Sequence, residues 1–217
     1  MASALAAGRG EFRVAPDHFA ERHGLIVIIA LGKSIIAVGV TAARIGLAGT
    51  QALTVGLAVA LIAALWWAYF DWFQAVAEGA LGAARDLHDL GHVARDLFTF
   101  AHFPLVAGIV TFAAGLEEAV QHPAEHLEPF GLTAVAGGIG AVLIAFSIAH
   151  RRPTRHLPAE RAVAAGVVAG LAWGIGARVA APTFLAIVAA VLAGALMLEG
   201  ARRRAGRARL STGATSR

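Results

Sequence analysis

The chain has 217 residues, of which 58% are hydrophobic and only 15% charged, with a mean hydropathy of +0.70 and a formal net charge of +4. Soluble domains carry about a quarter of their residues charged, so this composition excludes an ordinary water-soluble globule and points to an all-α, polytopic membrane protein. Cysteine is absent, which removes disulfides, thiolate chemistry and Cys-ligated metals.

A bilayer core about 30 Å thick takes about 20 mostly apolar residues per helix. Windows of that kind fall at 24–45, 50–73, 97–116, 130–149, 161–179 and 182–199, which predicts a bundle of about six transmembrane helices. Period-2 alternation is missing and Ala, Leu and Gly abound, which favours helices over a β-barrel. Residues 1–23 hold Arg9 and Arg13 but no apolar stretch of the kind a cleaved signal has; they are read as a cytoplasmic arm. Residues 201–217 form a basic tail beginning ARRRAGRAR, suited to anionic lipid headgroups rather than to nucleic acid. Basic residues gather in the arm, after the second span, after the fourth and in the tail, which by the positive-inside rule puts both termini in the cytoplasm of a bacterial inner membrane.

The first span opens on Glu21, Arg22 and His23 and contains Lys33. At 100° per residue, Arg22, Ile26, Ile29, Lys33, Ala37, Val40 and Arg44 share one stripe, and Ser34 and Thr41 lie on an adjacent one. Lys33 is roughly 13 Å past Gly24 along a helix. A lysine stem of about 6 Å falls short of the interface from that depth, so a partner inside the bundle is expected. The second span closes on LWWAYFDWF, an interfacial aromatic belt holding Asp71. His102 enters the third span from the same side, just before Pro104, whose missing N–H frees the carbonyl of Phe100. Asp71 is thereby the candidate partner of Lys33, with His102 in the same half of the membrane. Between these spans, residues 78–96 form the longest cytoplasmic connection, predicted as a short surface helix.

The external connection gathers Glu117, Glu118 and His122, followed by Glu125, His126 and Glu128. Neither this set nor His88 with His92 supplies a convincing metal site, because Pro123 interrupts one and the other has no third ligand. Pro129 and Pro182 suit the first turns of the fourth and sixth helices. Gly166, Gly170 and Gly174 align on one face of the fifth, for packing within the chain or against another subunit. No nucleophile elbow, P-loop, zinc-protease motif or intramembrane carboxylate pair is present, so neither an enzyme nor a cofactor is expected.

Three blocks, HFAERHGLIVIIALGKSIIAVG, LWWAYFDW and HFPLVAGIVTFAAGLEEAVQHP, resemble in order the C-terminal half of the bacterial low temperature requirement A (LtrA) family of multi-pass membrane proteins, over about residues 17–123. Matching positions are Glu21, Arg22, His23, Gly32, Ser34, Asp71, His102, Pro104, Glu117 and His122. Where the family pattern reads A-L-G-E-S-I, this chain has Lys33 in place of glutamate, which argues against a family-like cation pathway at that position. Family members are typically about twice this length, so the resemblance implies either a piece of a longer protein or a half-length chain with a partner: a homo-oligomer, dimer or higher, or a second LtrA-type half, in addition to membrane lipids. ERHGLIVIIALGKS also bears a weaker similarity to the first helix of six-helix endolysosomal-type potassium channels, whose half-length bacterial subunits oligomerise. The functional expectation is a channel or permease for a small ion or polar solute, with Lys33, Ser34, Asp71 and His102 lining a cytoplasmic vestibule. The alternative is a non-transporting scaffold or cold-adaptation protein.

Overall fold

A computed structural model describes residues 16–73, 79–81, 92–93, 95–154 and 159–214. Helix α1 (Pro16–Ile45) is followed by a short turn and α2 (Thr50–Ala68), which continues into a π-helical turn, Tyr69–Phe73. A second π-helical segment, Asp96–Ala101, runs into α3 (His102–Gln121); α4 (Pro129–Thr154), α5 (Ala159–Gly174) and α6 (Ala181–Ala214) complete the order, with a 3-10 turn at Gly176–Arg178. Every regular element among the described residues is helical. The predicted arm lies outside the described residues as far as residue 15, as does most of the connection 78–96, His88 included.

Local chemistry sets the ends. Gly46 has φ 94° and its N–H bonds to the Ala42 carbonyl, while Gly49 has φ 53°; a side chain would be strained at both, so glycine permits the tight α1–α2 turn. Pro129 opens α4 and Pro182 falls in the first turn of α6, where a missing N–H costs nothing. The Ala- and Arg-rich start of the basic tail favours helix, so α6 runs on to Ala214.

Five helices among the described residues are long and apolar enough to cross a membrane: Glu21–Ile45, Thr50–Asp71, Asp96–Gln121, Pro129–Ala149 and Ala181–Arg202. Helix α5 covers the remaining window but has 16 residues, about 24 Å at 1.5 Å per residue. It stops at Gly174 rather than near 179: Gly174 and Gly176, on either side of Ile175, are poor helix formers, and the chain continues as a 3-10 turn at Gly176–Arg178.

Helices α3 and α4 form the centre; α1 packs against α3, α5 against α4, and α2 against α1 and α6, while α5 and α6 pack on each other. The contact between α3 and α4 is backbone against backbone. A Cβ on Gly138 would lie 2.6 Å from the Phe112 nitrogen and 2.7 Å from the Gly108 oxygen, and one on Gly115 would lie 2.9 Å from the Val135 nitrogen. Gly166, Gly170 and Gly174 share a face as their spacing requires, yet all are exposed, and a Cβ on any of them would meet nothing within 4 Å. Packing within this chain therefore uses other glycines than those the regular spacing singled out, because the fifth helix turns that face away from α4 and α6.

Gly138→Val is expected to destabilise the bundle by about 1–3 kcal/mol through overpacking, whereas Gly170→Val on the exposed face stays within about 0.5 kcal/mol of the parent. Thermal unfolding in detergent, followed by tryptophan fluorescence, measures both; equal midpoints would refute the assignment.

Candidate functional site

Helix α1 turns a narrow stripe inward: Val27, Leu31, Ser34, Val38, Thr41 and Ala42 are buried. Ser34 Oγ donates to the Ala30 carbonyl at 2.9 Å and Thr41 Oγ1 to Glu117 Oε1 at 3.4 Å. The adjacent stripe, with Arg22, Ile26, Ile29, Lys33, Val40 and Arg44, faces outward. Lys33 is thus exposed and makes no ion pair among the described residues. This corrects the expectation of an interior lysine paired with Asp71. Ser34 and Thr41 can face inward because each is satisfied there, Ser34 by its own helix and Thr41 by Glu117. Asp71 is also exposed and lies in a groove between α2 and α6. Lys33, Ser34, Asp71 and His102 do not line one vestibule.

The structure instead unites His102 with His23 and Tyr69. His102 is 4% exposed; its Nδ1 lies 3.2 Å from the Leu97 carbonyl and its Nε2 3.0 Å from the Tyr69 hydroxyl. A carbonyl only accepts, so Nδ1 carries the proton; in the neutral ring Nε2 then accepts from the Tyr69 O–H, and both bonds are satisfied. The π-helical segment before α3 makes this possible: the His102 backbone N–H goes to the Thr99 carbonyl, leaving that of Leu97 within reach of the ring. The histidine thus uses the Leu97 carbonyl rather than that of Phe100, which Pro104 was expected to free.

Aromatic rings close the cluster. The His23 ring is 5.0 Å from His102 and 4.6 Å from Phe98. Phe73 lies 5.1 Å from His102, is stacked on Tyr69 at 5.1 Å and reaches Phe146 of α4 at 5.6 Å. His23 and His102 also border an open groove of about 650 Å³ between α1 and α3, walled by Ile26, Phe103, Val106 and Val110, with Thr99 and Thr111 beside them. Glu21 and Arg22, from the same helix start as His23, are exposed. The His23–His102 meeting was open to depth counting, since both residues stand near the start of helices rising from one side; Tyr69 was hidden in what reads as an aromatic belt.

A second polar junction ties the far helices together. Arg161 of α5, 3% exposed, donates from Nε and Nη2 to Glu199 of α6 at 2.9–3.1 Å, and its guanidinium lies 4.9 Å above the Phe146 ring. Glu160 pairs with Arg202 beside it. At the other membrane face Glu117 receives Thr41 and Gln121, and Glu118 accepts the Glu128 N–H at 2.8 Å. Glu118 also fills the space over Gly131. His122 is exposed beside them. These acids brace the turn into α4. Among the described residues no three His, Asp or Glu side chains converge as a metal site requires.

The family model for the bacterial low temperature requirement A protein (LtrA) matches residues 1–198. An uncharacterized protein of Rhizobium meliloti (strain 1021) is 35% identical over 109 residues, 49% of this chain and 25% of that protein, so the match spans a quarter of the relative's length. No solved structure matches the chain.

Breaking the α5–α6 junction from one side, with Arg161→Met or Glu199→Leu, should destabilise the bundle by about 3–5 kcal/mol, while the double variant Arg161→Met/Glu199→Leu regains most of the loss. Unfolding midpoints in detergent give the cycle; purely additive losses would show that the two side chains do not act as a pair.

Proposed function

This chain belongs to the bacterial low temperature requirement A family of multi-pass membrane proteins, and we propose that it is a channel or permease for a small ion or polar solute. The pathway in this reading runs along the α1–α3 groove past His23 and His102, and not past Lys33 and Asp71. The observation that supports it is the His23–His102–Tyr69 cluster: titratable side chains from three membrane helices in ring contact or hydrogen-bonded, opening on a groove of about 650 Å³. Ionisable groups at membrane depth mark pathways and relays more often than they serve packing, and imidazole is the side chain best suited to pass a proton near neutral pH.

Reconstituted protein should give a proton or monovalent-cation flux above that of protein-free liposomes, and His102→Gln should lower it about tenfold or more, the scale on which removing a positioned proton-transfer group acts. Flux equal to that of protein-free liposomes would end the proposal. Orientation belongs to it as well: both termini face the cytoplasm of a bacterial inner membrane, as the distribution of basic residues supports.

The proposal extends to a partner. Helix α1 leaves its Lys33 face uncovered, and a second LtrA-type half, from another copy or a related chain, is the reading that covers it. Light scattering of the detergent-solubilised protein tests this; a single chain that retains full flux after reconstitution as a monomer would overturn it.

One observation favours a non-transporting role in cold adaptation, which the family name suggests. Ser34, Thr54, Thr133 and Ser147 all turn their hydroxyls back onto the carbonyl four residues earlier, so these groups need no water or solute. Normal cold growth with a folded but flux-dead His102→Gln protein would favour that role.

A further inference from the structure

The groove between α2 and α6 is separate from the histidine cluster, holds about 620 Å³, and is bordered by Trp67, Asp71, Leu196, Met197, Gly200 and Arg204. Its level in the membrane follows from the helices themselves. The apolar window of α2 ends at Asp71 and that of α6 at Arg202, each 22 residues long, or roughly 33 Å at 1.5 Å per residue. Both helices therefore reach the same interface where the groove lies. Asp71 and Arg204 stand at headgroup height, while Leu196 and Met197 lie about one to two turns deeper on α6.

The charges are arranged for a ligand rather than for each other. Asp71 and Arg204 are exposed, and among the described residues neither makes an ion pair, with the other or elsewhere. Other charges of α6 near this end are paired with α5: Glu199 with Arg161 and Arg202 with Glu160. An unpaired carboxylate and an unpaired guanidinium on one groove suit a molecule carrying one positive and one negative group. Trp67, 61% exposed, adds a ring face for a cation, and Met197, 74% exposed, an apolar floor for a chain.

We propose that this groove is a binding site for a zwitterionic aminophospholipid of the phosphatidylethanolamine type. The primary ammonium donates to the Asp71 carboxylate over the Trp67 ring, the phosphate accepts from the Arg204 guanidinium, and an acyl chain runs down α6 past Met197 and Leu196. A quaternary choline headgroup has no N–H to give Asp71, and a phosphatidylglycerol headgroup has no cation, so the site discriminates by headgroup and not only by charge.

Native mass spectrometry of the full chain, equilibrated with equal amounts of phosphatidylethanolamine, phosphatidylcholine and phosphatidylglycerol of matched acyl chains, tests the site. The wild type should retain the ethanolamine lipid about two- to fivefold over the choline lipid, the selectivity one exposed charge contact supports. Asp71→Asn should bring the two lipids to parity, and Arg204→Gln should lower retention of both while keeping their ratio. Both positions are exposed, and an unchanged melting midpoint verifies that the variants fold. Equal retention of the two zwitterionic lipids by the wild type, an ethanolamine preference that survives Asp71→Asn, or a dominant preference for phosphatidylglycerol would each overturn the proposal.

Discussion

The backbone contact between α3 and α4 is the constraint on which the rest of the bundle depends. Lipid tails are as apolar as leucine, so helices in a membrane gain little from hiding apolar surface and associate through close packing. Gly108, Gly115, Gly131 and Gly138 let the two helices approach until backbone atoms nearly touch. That contact fixes where the lower ends of α3 and α4 stand, and so where His102 and Phe146 stand. The rings of Phe73 and Tyr69 then fill the space between α2 and this central pair, and Arg161 closes it from α5.

Much of this was legible in the chain, and the failures have physical causes. Membrane character and helical class follow from composition and window length, because a helix in hydrocarbon must satisfy its own backbone. Family membership was legible from three motif blocks. Helix orientation about its own axis was not. The charged stripe and the hydroxyl stripe of α1 are separated by a modest rotation, and only the neighbours' surfaces decide which turns inward. The same limit applies to glycine. Gly166, Gly170 and Gly174 have the regular four-residue spacing, while the glycines in contact sit seven apart, two on each partner helix. Their significance appears only when two helices are considered together. The π-helical segments at Tyr69–Phe73 and Asp96–Ala101 were hidden for a related reason, since a widened turn reflects tertiary fit more than local propensity.

Two basic side chains at membrane depth illustrate how the fold handles charge. Arg161 opens α5, and because α6 runs antiparallel to it, Glu199 near the end of the α6 apolar window comes level with the guanidinium; an acid and an aromatic face then meet a nearly buried cation. Lys33 has no such option. The acids of this chain stand at or beyond the ends of the apolar windows: Glu21, Asp71, Asp96, Glu160 and Glu199 toward one interface, and Glu117, Glu118, Glu125 and Glu128 toward the other. No rotation of α1 could bring Lys33 against a carboxylate at its own depth, and turning it inward would bury an ammonium at a cost of at least about 2.5 kcal/mol with nothing to offset it. Facing outward is then the lower-energy state for the isolated chain, because a flexible stem can lift the ammonium toward headgroups or meet a carboxylate on a neighbour. The face that α1 exposes thus follows from where the acids are placed along the sequence.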